Sequence, residues 1–181
     1  MTLLIMPLTT RRILYMLLCI SGHQIRRSSD ESPVIKKLEA AAKPNLSKPC
    51  EKKFTEEELK ARLTPTQFRV TQEKGTEKAY SGKYINKKEE GIFQCIVCGN
   101  HIFDSDHKFA SGCGWPSFSD VENLDKVKLV RDTSHGLNRL EVSCAKCGAH
   151  LGHVFDDGPK PSGIRYCVNS ASLDFRKHTT V

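Results

Sequence analysis

Thiols at regular spacing are the first chemical feature of this 181-residue chain, which carries eight cysteines. Cys95/Cys98 and Cys144/Cys147 form two C-x-x-C pairs, each followed by a glycine, Gly99 and Gly148. In such a turn both sulfurs point to one side of a tight knuckle, and the glycine accepts the unusual backbone angle. Two knuckles brought together offer four sulfurs in a tetrahedron, which suits zinc and fills its coordination, so a structural site is expected. Iron or redox disulfides are the alternatives. A disulfide framework is a poor reading, because adjacent-turn disulfides constrain little chain. Cys98 and Cys144 lie 46 positions apart, well beyond the ~15–20 residues of a compact two-knuckle module. The expected zinc therefore ties strands of a larger sheet and leaves the interval free for other chemistry.

That interval holds Ser111-Gly-Cys-Gly-Trp-Pro-Ser-Phe118. Cys113 between two glycines has a mobile or bent backbone, and Trp115 is the only tryptophan. A core tryptophan with a small cysteine filler is the plainer alternative. Downstream, His150 and His153 are three apart with Gly152 between them, so a loop or strand end presents them rather than a helix. Two imidazoles near neutral pKa can move protons, and Asp157 could orient one of them; ordinary surface histidines are the alternative. Finally, Arg165, Cys167 and Asn169 share one face at strand spacing. A guanidinium beside Cys167 favours thiolate over thiol, and Asn169 could donate to whatever the sulfur attacks. An activated thiolate, a second thiol, two proton donors and an aromatic wall suit two-electron thiol redox chemistry better than hydrolysis.

Elements must hold these groups in place. Thr55 with Glu58, and Thr64 with Pro65 and Gln67, are helix starts, predicting helices through about Leu63 and onward from Pro65. Beyond Gly75, runs beginning at Gly91, Val127, Arg139 and Arg165 alternate at period two and read as strands. The expected fold is mainly β with small N-terminal helices. Residues 1–50 read as a targeting presequence and flexible linker, and 51–178 as the folded domain. Met1 to Ser29 has four arginines and no acid, with an apolar run from Ile13 to Ile20. That composition fits a mitochondrial presequence, and its basic flank plus short apolar core also fits a secretory signal. Of the net charge of +7, residues 1–49 hold eight basic against three acidic groups, leaving only +2 for the rest. A nucleic-acid-binding zinc-knuckle module is therefore disfavoured. No apolar run reaches the ~18–20 residues of a spanning helix.

Three motifs together carry a resemblance: Ser111 to Phe118, Cys144-Ala-Lys-Cys-Gly-Ala-His-Leu-Gly-His-Val-Phe155, and Arg165-Tyr-Cys-Val-Asn-Ser-Ala-Ser172. In these the chain closely resembles the type B methionine sulfoxide reductases, and the likeness extends from about Phe54 to Phe175. The resemblance implies two antiparallel sheets with flanking N-terminal helices. It implies that Cys167 attacks the sulfur of a methionine-R-sulfoxide in an oxidised protein and becomes a sulfenic acid, while His150 and His153 help protonate the departing oxygen. Cys113 would then resolve the intermediate as a Cys113–Cys167 disulfide for thioredoxin to reduce. Trp115 would hold the substrate methyl; Arg165, Asp157 and Asn169 would tune the site; Cys95, Cys98, Cys144 and Cys147 would bind one structural zinc. The expected form is a monomer. Cys50 has no assigned role beyond a weak secondary resolving possibility.

Overall fold

The computed structural model describes residues 32–178, so the proposed presequence lies outside the described residues. Three helices precede nine strands: α1 (Pro33–Leu46), α2 (Glu56–Arg62) and α3 (Pro65–Gln72), then β1 (Gly91–Cys95), β2 (His101–Asp104), β3 (Lys108–Phe109), β4 (Ser117–Phe118), β5 (Val127–Asp132), β6 (Arg139–Cys144), β7 (His150–Phe155), β8 (Arg165–Val168) and β9 (Leu173–Lys177). The strands form two antiparallel sheets, one ordered β2-β1-β9 and one ordered β3-β4-β8-β7-β6-β5. Among the described residues the fold is mainly β, with two sheets and three small helices.

Both helix starts form as the sequence predicts. Thr55 and Thr64 each close a capping box, with Glu58 and Gln67 respectively, and Pro65 occupies the first turn of α3. Each box satisfies two backbone N–H groups that a helix start would otherwise leave unpaired. The flexible linker expected within residues 1–50 needs correction, because Pro33–Leu46 is helical. Pro33 in the first turn presets the helical angle, and Ile35, Leu38 and Ala42 form a buried stripe at helical spacing. The helix lies against β5. Glu39 makes a two-pronged ion pair with Arg131 at 2.9 and 2.6 Å, and Asn45 donates to the Leu124 carbonyl at 2.7 Å.

The two faces of the six-stranded sheet differ in kind. Leu129, Val142, Leu140, Val154, Tyr166 and Phe118 lie on one side through successive cross-strand pairs, and all are buried. They meet the three-stranded sheet through aromatic rings. Phe103 stacks on Phe118 at 4.3 Å, and Phe93 meets Phe118 edge-on at 5.1 Å. Such ring contacts add about 0.5–1.5 kcal/mol beyond their area burial. The opposite face is polar, and it is where the chemistry collects.

Candidate active site

One row of paired residues runs straight across the polar face. Val130 lies opposite Glu141, Glu141 opposite His153, His153 opposite Cys167, Cys167 opposite Ser117, and Ser117 opposite Phe109. Directly opposed side chains leave a sheet on the same side. The pairing therefore sets a carboxylate, an imidazole, a thiol and a hydroxyl in adjacent positions, with strands about 4.8 Å apart.

His150 joins this row through an irregularity. Residues three apart on a regular strand point to opposite faces, which would send His150 away from His153. Opposite β6, however, Val142 pairs with Gly152 and Ser143 pairs with His150. Leu151 is the extra residue of a β-bulge, and it restores both histidines to one face. Their rings lie 5.5 Å apart. The bulge leaves the Leu151 carbonyl to other donors, and the Asn169 backbone and side-chain amides take it at 2.9 and 3.0 Å.

Each histidine is anchored by a carboxylate from another strand of the sheet, Glu141 on β6 and Asp132 on β5. His150 Nδ1 is 2.8 Å from Glu141 Oε1, and His153 Nε2 is 2.7 Å from Asp132 Oδ2. Glu141 also accepts from Lys74 at 2.8 Å. Burial works against the Glu141 charge, but the His150 bond and Lys74 win and pull its carboxyl down to about 2. Burial pushes His153 down to about 4, with Asp132 opposing and Arg139 adding to the fall. His153 is therefore neutral at pH 7. Because Asp132 is held as an acceptor-only carboxylate, Nε2 of His153 carries the proton and Nδ1 is the basic nitrogen. By the same logic the available nitrogen of His150 is Nε2, a buried atom without a hydrogen-bond partner among the described residues.

Two of the expected partnerships differ in the structure. Asp157, expected to orient a histidine, instead grips Arg165, accepting from Nε at 2.7 Å and Nη2 at 2.9 Å. The β7–β8 hairpin explains this, since Phe155 pairs with Arg165 and Asp157 lies just beyond. The guanidinium also lies over the Phe155 ring at 4.4 Å. Asn169, expected to donate toward the sulfur, is engaged elsewhere: Nδ2 with Leu151, and Oδ1 with the Glu77 N–H at 3.0 Å. β8 ends at Val168, so the strand alternation that aligns Arg165 with Cys167 stops before Asn169.

The two candidate redox sulfurs do meet. Cys113 Sγ lies 3.6 Å from Cys167 Sγ, with Ser111 Oγ at 3.0 Å and Ser117 Oγ at 3.4 Å from Cys113. Cys113 is buried and Cys167 half-buried. The hydrogen bond from Cys167 draws the Cys113 thiol down to about 5, against burial and with help from both serines. The same bond and burial push Cys167 up, while Arg165 pulls it down. The pair thus shares one proton and one negative charge. Their shared hydrogen bond draws the charge toward Cys113, and Arg165 draws it back toward Cys167. Arg165, buried apart from its partners, is held more firmly charged by Asp157 and by both sulfurs despite its burial. Trp115 is half-buried, and its Nε1–H donates to the Glu77 carbonyl at 3.2 Å.

The four knuckle cysteines form a separate cluster, all sulfurs lying within 4.8 Å of one another. Cys95 to Cys147 is 3.7 Å and Cys98 to Cys144 is 3.6 Å. A tetrahedron with metal–sulfur bonds of about 2.3 Å has edges of about 3.8 Å, so the set fits a metal ion. Each knuckle closes with its glycine N–H donating to the first cysteine's carbonyl at 2.8 Å, which requires the left-handed angles of Gly99 (φ 71) and Gly148 (φ 81).

A two-sheet β domain with a thiol pair on its polar face and a four-thiol cluster at its knuckles is the architecture of a thiol oxidoreductase, and residues 63–177 match the SelR domain. The chain is 55% identical over 128 residues to the mouse (Mus musculus) protein named methionine-R-sulfoxide reductase B3, mitochondrial, covering 71% of this chain and 51% of that one. It spans about half the length of that relative. It is 54% identical over 125 residues to peptide methionine sulfoxide reductase MsrB of a Synechococcus strain, and 55% identical over 122 residues to MsrB of Methanosarcina barkeri. Those matches cover 69% and 67% of this chain, and 92% and 86% of the relatives. The chain belongs to the SelR family of methionine sulfoxide reductases, which are oxidoreductases.

Proposed function

We propose that the chain reduces methionine-R-sulfoxide in oxidised proteins to methionine, and that the Cys113–Cys167 pair beside Arg165 and the two histidines carries the reaction. The 3.6 Å sulfur–sulfur approach on the polar face is the observation that supports this most. The Cys167 proton passes to the Cys113 thiolate, and the Cys167 sulfur attacks the sulfoxide sulfur. Nε2 of His150, loaded with a proton from solvent, gives it to the oxygen, while Glu141 fixes Nδ1. His153, neutral at pH 7, assists by hydrogen bonding. The protonated oxygen transfers from the methionine sulfur to Cys167 as the bond between the two sulfurs breaks; methionine leaves with the electron pair, and Cys167 holds the oxygen as a sulfenic acid. Cys113 attacks that sulfur, water departs, and a Cys113–Cys167 disulfide remains for thioredoxin to reduce.

Arg165 holds the negative charge of the pair, with Asp157 fixing the guanidinium. Trp115 walls the substrate methyl, and Asn169 supports the bulge that aims His150. Cys95, Cys98, Cys144 and Cys147 hold one zinc, whose part is structural. The working form is a monomer that binds no nucleic acid; among the described residues no helix is long and apolar enough to cross a membrane. The arginine-rich start of the chain supports delivery to the mitochondrion, the secretory pathway being the alternative.

The test is purified protein with dithiothreitol and a mixture of sulfoxide diastereomers. Wild type consumes the R form only, and Cys167→Ser consumes neither. Cys113→Ser still yields one methionine per chain but loses thioredoxin-dependent turnover. R-form reduction by Cys167→Ser at the wild-type rate would falsify the scheme.

A further inference from the structure

Tyr80 lies outside the row of reacting groups, yet its backbone is unusual. It has φ 63, a left-handed angle that costs an aromatic residue free energy. Burial does not hold it there, because it is 64% exposed. Two hydrogen bonds do. Its N–H donates to the Gly114 carbonyl at 2.8 Å, and its phenol donates to the Gly112 carbonyl at 2.6 Å. Both bonds end on the residues that flank Cys113. A Cβ at Gly114 would sit 3.1 Å from the Tyr80 ring and 2.9 Å from Ala79 Cβ, so glycine is what lets the ring lie this close.

The same short segment is also fixed to the strand end that follows Cys167. The Glu77 carboxylate accepts from the backbone of Ser170 at 2.6 Å and Ala171 at 2.9 Å, and the Glu77 N–H donates to Asn169. Residues 77–80 therefore touch both cysteine-bearing segments and set the spacing between them.

We propose that Tyr80 is a positioning residue for disulfide closure, its phenol and N–H holding Gly112–Cys113–Gly114 where Cys113 can reach the Cys167 sulfur. The proposal rests on the function proposed above. In that step the Cys113 sulfur attacks the sulfenic sulfur of Cys167, the S–O bond breaks, and the hydroxyl leaves with the Cys113 proton as water. The oxidant is the sulfoxide consumed in the preceding step. Closure brings the sulfurs from 3.6 Å to about 2.05 Å, a movement of the loop that the two bonds guide from both sides of Cys113.

Tyr80→Phe keeps the ring and the backbone N–H and deletes only the phenol bond. After rapid mixing with methionine-R-sulfoxide, methionine release is followed by quench, and closure by the fluorescence of Trp115, the only tryptophan. The expected result is an unchanged methionine burst and a melting temperature lower by about 2–4 °C at most, with closure slowed about fivefold, the effect of one net hydrogen bond. Dimedone trapping of the sulfenic acid rises accordingly. Closure at the wild-type rate overturns the proposal, as does equal slowing of both steps, which would mark Tyr80 as general support. A wild type without a methionine burst sinks the proposed function instead. Closure driven by oxidised dithiothreitol then reads Tyr80 alone, with fivefold slowing supporting the proposal and no change overturning it.

Discussion

Replacing Glu141 by Gln tests the electrostatics of the site most directly. Glu141 is buried, its side chain 8% exposed, and bridges His150 and Lys74. Its carboxyl is drawn from 4.5 down to about 2, which sets a ceiling of about 3 kcal/mol on what its charge contributes to stability. Lys74 is 68% exposed, so water screens its share and the bond to His150 carries most of the remainder. Glutamine keeps one acceptor oxygen, but its NH2 must face either the Lys74 ammonium or the His150 N–H. Lys74 can swing into water, leaving a neutral bond to His150 in place of a charge-assisted one. The expected loss is about 2 kcal/mol at pH 7. A lowered carboxylate pKa gives stability that is present above 4.5 and lost as pH falls toward 2. The gap between wild type and variant should thus be flat from pH 5 to 8 and shrink by more than half by pH 3, where the unfolded carboxyl has taken up its proton while the folded one is still charged. Urea denaturation across that range measures it. A gap under about 0.5 kcal/mol at pH 7, or one that does not narrow in acid, refutes the argument. Sulfoxide reduction should fall roughly tenfold, since His150 loses the carboxylate that fixes its Nδ1.

Other outcomes follow from the same geometry. His153 is depressed from 6.5 to about 4, so its neutral form belongs to the folded state: stability is full above pH 6.5 and declines as pH falls toward 4, by at most about 3 kcal/mol. His153→Gln should flatten that limb in a pH series of denaturation midpoints, and an unchanged limb contradicts the assignment. Purified protein should carry one zinc per chain by elemental analysis, and chelation or Cys144→Ser should lower the melting temperature sharply; well under half a metal per chain is the contrary result. Leu38→Ala in α1 should cost about 2–4 kcal/mol in urea unfolding through the cavity it leaves, whereas a loss near zero would mean that α1 does not share the main cooperative unit.

Much of the architecture was open to reading because it rests on local signals. The two capping boxes need only three-residue spacing, and the knuckles only C-x-x-C-G. Arg165 and Cys167 share a face because two residues of one strand must. The helix α1 was legible too, in Pro33 and the Ile35–Leu38–Ala42 stripe, but the later prolines and lysines of that stretch mask it as linker. Partners that arrive from other strands had no such signal. Asp132 and Glu141 reach the histidines by strand pairing across 21 and 9 positions of sequence. One clue was available for Glu141: it alternates with Leu140 and Val142, so it must oppose the apolar face of β6. Glu77 gave none, since its carboxylate serves backbone groups some 93 residues away.

The bulge at Leu151 means that the spacing of the histidine pair is set by counting as much as by chemistry. Removing that one residue would delete no acid, base or nucleophile, and every motif on either side would still read the same. Regular alternation at a spacing of two would then keep both imidazoles on the polar face, but the core would lose the buried Leu151 side chain and Asn169 would lose the carbonyl that both its amides grip. The residue that the pairing register skips is thus the one that fastens the histidine strand to the segment following Cys167.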